Sequence, residues 1–80
     1  MRTTGYFERS RGRRDRVTIR DEWIRVVVAR PVTVEIQPDG RKRLWGYIVE
    51  VDRYLRVVVL EDGETVHNAF FDRSYGRTGR

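Results

Sequence analysis

The stretch Arg53-Tyr54-Leu55-Arg56-Val57-Val58-Val59-Leu60-Glu61-Asp62-Gly63-Glu64-Thr65-Val66-His67-Asn68-Ala69-Phe70-Phe71 decides the fold. Two β-branched and aromatic runs flank Asp62-Gly63, a pair that favours a two-residue hairpin loop because glycine takes positive φ freely. The runs predict strands over residues 54–61 and 64–71. Upstream, Val32-Thr33-Val34-Glu35-Ile36 alternates apolar and polar, which is the period of a half-buried strand. Gln37-Pro38-Asp39-Gly40 reads as a type I turn with glycine in the left-handed position. Residues 41–50 then form the next strand, and a turn near Asp52-Arg53 joins it to the third. The result is a four-stranded antiparallel meander.

Register follows from the turns. A loop at Asp62-Gly63 sets Leu60 against Thr65, Val58 against His67 and Arg56 against Ala69. The Pro38 turn sets Gln37 against Arg41, Glu35 against Arg43 and Thr33 against Trp45. A tight turn at Asp52-Arg53 sets Tyr47 against Val58. One face then carries Val32, Val34, Ile36, Leu44, Ile48, Leu55, Val57, Val59, Val66 and Phe70, and is the expected core. The other carries Glu35, Arg41, Arg43, Trp45, Tyr47, Tyr54, Arg56, Val58 and His67. On this register Asn68 falls on the apolar face, where it needs an internal partner.

Residues 21–30 admit two readings. As a helix they begin with acids, end at Pro31, and place Trp23, Ile24, Val27 and Val28 on one face. Thr18, with Asp21 three residues on, resembles a capping box. Against this, three consecutive valines favour strand. The helix is adopted, giving an α+β fold with a short N-terminal helix packed on the meander. Residues 1–15, rich in Arg, Gly, Ser and Thr, lack apolar periodicity and read as a mobile basic arm. Tyr6 and Phe7 interrupt it and can dock locally. Val17-Thr18-Ile19 is a short β-prone run, residues 16–73 form the single domain, and 74–80 read as a basic tail.

Composition narrows the function. Eighty residues allow one domain, and a chain this small buries a limited share of its surface, so a homodimer or protein partner is a natural aid to stability. With no cysteine, neither a disulfide nor a thiolate metal site is available. A lone histidine argues against zinc, the glycines form no phosphate-cradling loop, and nothing points to a cofactor. No apolar run is long enough for a membrane span or follows the N-terminal charges as a signal would, so a cytoplasmic protein is expected. The net charge of +5 resides in the ends: residues 1–20 hold seven Arg against Glu8 and Asp15, whereas residues 21–71 hold seven Lys/Arg against nine acids.

Cations hold phosphates and aromatic rings stack unpaired bases, so the second face has the makings of an RNA site. Arg41, Arg43, Trp45, Tyr47 and Tyr54 are its candidate RNA contacts. His67 can move a proton at the 2′-hydroxyl or leaving oxygen, and Arg56 can stabilise charge on the phosphate in flight. Each has a plainer reading. Arg41 and Arg43 can serve solubility, Glu35 and Arg43 can form a cross-strand pair, Trp45 and Tyr47 can fill a second small core or a dimer contact, and His67 can be a hydrogen-bonded structural residue.

From Val17 to Arg73 the order of Val-Thr-Ile-Arg-Asp-Glu-Trp, a helix, Arg-Tyr-Leu-Arg-Val-Val-Val-Leu and Thr-Val-His-Asn-Ala-Phe-Phe-Asp-Arg resembles the RelE-like and BrnT-like toxin ribonucleases. These belong to a wider group with barnase-type nucleases. The resemblance implies metal-independent RNA cleavage, alone or on the ribosome, restrained by a cognate antitoxin protein. It implies Arg56 as phosphate binder, His67 as acid or base, Arg73 near the strand end, and Tyr54 and Tyr75 in stacking or proton transfer. Many such proteins carry a histidine before the proline that ends the first helix; here the stretch is Ala29-Arg30-Pro31, with Arg30 in that place. Beside this stands a non-catalytic nucleic-acid-binding or regulatory module with a small β-barrel-like sheet.

Overall fold

The computed structural model describes residues 1–11 and 19–75. In chain order these form α1 (Gly5–Arg11), α2 (Asp21–Ala29), β1 (Thr33–Ile36), β2 (Lys42–Ile48), β3 (Arg53–Val59) and β4 (Val66–Phe71). The strands make one antiparallel sheet in the order β1-β2-β3-β4, the expected meander within an α+β fold.

The helical reading of residues 21–30 holds. Asp21 and Glu22 occupy the first turn, where carboxylates complement the helix dipole, and the chain leaves α2 at Ala29 before Pro31. Arg20 is the N-cap and makes no side-chain cap bond, so the start rests on the Trp23 and Ile24 amides donating to the Arg20 carbonyl. The Thr18 capping box, and residues 17 and 18 of the β-prone run, lie outside the described residues. Trp23, Ile24 and Val27 are buried and Val28 is partly so, which is the expected face.

α2 lies across β2 and β3, and the fit requires a glycine. A Cβ on Gly46 would stand 2.7 Å from Val27 Cγ2, so the helix backbone approaches the sheet at the one strand position that has no side chain. At the β1–β2 turn Gly40 takes φ +92°, as the Pro38 turn demands.

The first hairpin has the expected register, with Glu35 opposite Arg43 and Thr33 opposite Trp45. The second differs: Tyr47 faces Tyr54, because the loop closes at Val49–Asp52 with Asp52 left-handed at φ 52°. The pairing moves by an even number of residues, so every side chain keeps its expected face. The third hairpin starts in the expected register, with the Leu60 amide 2.9 Å from the Thr65 carbonyl. A bulge then intervenes: Val59 pairs with Val66, but Val58 pairs with Asn68, leaving His67 as the extra residue. Beyond it the expected faces reverse. Phe70 lies opposite Arg56 rather than in the core, while Ala69 is buried and Phe71 packs against the core from its margin.

Two further expectations are corrected. Residues 1–11 are not a free arm. Thr4 and Val66 share a backbone bond, the Val66 amide donates to the Arg2 carbonyl, and Phe7, 3% exposed, joins the buried cluster with Val66 and Ala69. The docking foreseen for Tyr6 and Phe7 thus recruits a helix of seven residues. Residues 12–15 and 76–80 lie outside the described residues. Second, Val32, Val34 and Ile36 are exposed, because α2 packs mainly on β2 and β3 and α1 on β4.

Because Gly46 sets the approach of α2, Gly46→Ala is expected to cost about 1–3 kcal/mol through overpacking against Val27. A urea titration should show a lower midpoint at unchanged slope; an unmoved midpoint would mean that Val27 yields freely.

Candidate functional site

The face of the sheet away from α2 divides into a basic half and an aromatic half. In the basic half, Arg41 stands just before β2, β2 supplies Arg43, β3 supplies Val58 and Arg56, and β4 supplies His67, Asn68 and Phe70. Tyr6 of α1 and Gln37 at the end of β1 close the sides of an open cleft of about 240 Å³. The bulge explains how two consecutive residues, His67 and Asn68, both reach this cleft: the extra residue re-aims the strand so that both stand opposite Val58. Asn68 therefore needs no partner in the core; its Oδ1 accepts from the Ala69 amide at 2.9 Å.

His67 is the best-held side chain of the cleft. Thr4 caps α1, its Oγ1 accepting the Phe7 amide at 3.1 Å, and the same hydroxyl lies 3.1 Å from His67 Nδ1. Tyr6 stacks on the imidazole with centroids 4.8 Å apart. Burial lowers the His67 pKa below its ordinary value of 6.5, the Arg41 charge lowers it further, and Asp39 pulls the other way. The imidazole is therefore neutral near pH 7 and can accept a proton or bind as an uncharged donor.

Each cleft arginine has a carboxylate. Arg43 NH1 is 2.9 Å from Glu35 Oε1, the cross-strand pair read from the register, and Arg41 Nε is 3.7 Å from Asp39. Both pairs are exposed and hold their arginines weakly, so an incoming phosphate can compete for them. Arg56 is more enclosed. Its guanidinium lies over Phe70 (4.4 Å) and beside Trp45 (5.8 Å), NH1 is 3.7 Å from Asp72, and the buried Nε has no hydrogen-bond partner.

The aromatic half is a small second core. Trp45 is only 6% exposed; it stacks on Tyr75 at 5.2 Å and donates Nε1 to Asp72 at 2.9 Å. Tyr75 also meets Tyr54 edge-on and shares a hydrogen bond with Thr33, while Tyr47 contacts Tyr54 and donates to Asp52. Burial works to raise the Asp72 carboxyl, but hydrogen bonds from Trp45 and Ser74, with the Arg56 charge, outweigh it and hold the group below its ordinary range. Ser74 and Tyr75 thus belong to the fold rather than to a tail.

Of the residues singled out from sequence, Arg41, Arg43, Arg56 and His67 meet in the cleft. Trp45, Tyr54 and Tyr75 are brought together instead as packing partners, with Tyr47 the most exposed of the group. Arg73 is exposed in the turn after β4 and does not line the cleft. Sequence reasoning missed Tyr6, Gln37, Asn68 and Phe70 as cleft residues. Gln37 was readable from its place opposite Arg41; Asn68 and Phe70 were hidden by the bulge. The chain matches no family model, no curated protein and no solved structure.

The depressed His67 pKa has a sign that can be checked. The unfolded chain takes up the His67 proton at higher pH than the folded one, so folding stability falls as pH drops below 6.5 and levels off below the folded pKa. Urea midpoints measured across this window should fall with pH in the wild type, and His67→Gln should remove that part of the slope. A wild-type slope that persists in His67→Gln would assign the effect to other groups.

Proposed function

We propose that this chain is an RNA-directed module acting in the cytoplasm as a metal-independent endoribonuclease of the toxin kind, free or on the ribosome, and restrained by an antitoxin protein. The observation that carries the reading is the neutral His67 imidazole in the same cleft as Arg41, Arg43 and Arg56. With Nδ1–H donated to Thr4, the Nε2 lone pair takes the proton of a 2′-hydroxyl as its oxygen attacks the adjacent phosphorus. The bond from phosphorus to the 5′-oxygen breaks, and that oxygen takes a proton from the imidazolium or from water. The arginines balance the charge that builds on the phosphate, a role that suits guanidinium groups.

A second reading, a non-catalytic nucleic-acid-binding module, is favoured by one specific observation. Tyr6 and Thr4 already engage one face and one nitrogen of His67, as they would in a residue kept to anchor α1. The two readings share the arginine cleft and differ in what His67 does.

Purified RNA and a translation extract containing ribosomes would each be incubated with wild type, His67→Ala and Arg43→Gln, with circular dichroism to confirm folding. The nuclease reading expects cleavage of at least one substrate, reduced about 10²–10⁴-fold in folded His67→Ala. For naked RNA, cleavage should survive EDTA; for ribosome-bound RNA, the chelator arm is uninformative because it dismantles ribosomes. Intact RNA throughout, with salt-sensitive binding weakened by Arg43→Gln, would establish the binding module instead. Neither cleavage nor binding would sink both.

Phosphate occupancy has a separate signature. An anion beside His67 offsets the Arg41 charge, so inorganic phosphate should raise the His67 pKa in a proton NMR titration. Chloride at matched ionic strength should raise it less; equal shifts would mean screening alone.

A further inference from the structure

The two edges of the sheet are treated differently. β4 is covered at its first residue: the Thr4 amide donates to the Val66 carbonyl and the Val66 amide to the Arg2 carbonyl, each at 2.9 Å. β1 pairs only with β2, and its outer backbone groups have no partner among the described residues. Its side chains on the helix-bearing face, Val34 and Ile36, are also bare at 51% and 68%, and Val32 just before the strand is exposed at 63%. Val26 on the neighbouring helix is exposed as well. An uncovered edge with apolar side chains is what natural sheets avoid unless something pairs with it.

The backbone phase is fixed. The Gln37 amide donates to the Arg41 carbonyl at 2.8 Å, so odd-numbered residues of β1 direct their backbone groups at β2. Val34 and Ile36 direct theirs outward, while Val32, just before the strand, turns its amide inward to the Trp45 carbonyl at 2.8 Å. The sequence Val32-Thr33-Val34-Glu35-Ile36 is symmetric in polarity about Val34, which is what a self-complementary contact requires.

We propose that β1 is a homodimerisation edge, pairing antiparallel with β1 of a second copy and with Val34 on the two-fold axis. In this register Val34 meets Val34, Ile36 meets Val32, and Thr33 meets Glu35, so no like charges oppose each other. Moving the axis to Glu35 sets two carboxylates directly opposite, which is unfavourable. Moving it to Thr33 sets Ile36 against Arg30. Placing it between residues matches the apolar face of one copy to the polar face of the other. Charge and polarity therefore select one register and one occupant. The axis runs perpendicular to the sheet, so the two Arg–His clefts open on the same side of a continuous sheet.

The chain has no cysteine, so single-cysteine variants report the contact directly. Hydrogen-bonded antiparallel residues have Cα atoms about 5.5 Å apart, within disulfide reach, so Val34→Cys should link to itself under mild oxidation. Ile36→Cys should not, since its two copies lie about 14 Å apart at ~3.4 Å per residue, but it should link to Val32→Cys in a mixture. Light scattering should give twice the chain mass for wild type. Val34→Pro removes an outward amide only and should be folded by circular dichroism and monomeric. A monomeric wild type with Val34→Cys linking no faster than Ile36→Cys would overturn the proposal. So would a dimer that links through Glu35→Cys rather than Val34→Cys, or one that survives folded Val34→Pro.

Discussion

The extra residue in β4 is the constraint on which the rest of the molecule depends. Without the bulge, Val58 would face His67 alone, Asn68 would be turned into the core at the place that Ala69 now holds, and Phe70 would stand where Phe71 is. With it, the core side of β4 presents the small Ala69, and the same buried cluster takes in Phe7 from α1. The open side gains His67 and Asn68 together with the Phe70 ring on which the Arg56 guanidinium rests. One backbone irregularity thus makes room for a helix on one face and builds a cleft on the other.

That coupling has an energetic side. Ordering a residue costs roughly 1–2 kcal/mol of backbone entropy, and burying a large apolar side chain returns roughly 1.5–3 kcal/mol. Phe7 alone therefore cannot hold the seven residues of α1. The two backbone bonds to Val66, the Thr4 cap and the Tyr6–His67 stack must supply the remainder, and two of these pass through His67 or its hydrogen-bond partner. α1 stands at the low-stability end of the fold, and its docking is tied to the ionisation state of the cleft.

Much of this was legible in the residues themselves. The alternation in residues 32–36, the Pro38 and Gly63 turns and the apolar face of residues 23–28 specify the meander and α2 without help from tertiary contacts. The β2–β3 loop was misjudged, yet face assignments survived because an even shift preserves side-chain parity. The bulge was not legible: it adds one residue where no glycine or proline marks it, and it reversed the face assignments after His67. α1 was hidden for a different reason. A seven-residue helix in an arginine-rich stretch has too little periodicity to read, and only Thr4 before the Tyr6-Phe7 pair signals it. The exposure of Val32, Val34 and Ile36 depends on where α2 ends laterally, which no local pattern encodes.

The division of the open face bears on how RNA would be recognised there. Trp45, the ring best suited to stack a base, is stacked on Tyr75 and tied to Asp72, so its indole is engaged within the sheet. Arg56 joins the halves: one side rests on aromatic rings, while its buried Nε lacks a partner beside the cleft. Recognition in the cleft would then rest on charge and on the amide groups of Gln37 and Asn68 more than on stacking. Asn68 spends its carbonyl oxygen on the Ala69 amide and keeps its two N–H donors, which suit acceptor edges of a base or phosphate oxygens. Contacts of that kind discriminate weakly on a single sheet face, and two clefts sharing one surface would gain selectivity from their spacing rather than from either alone.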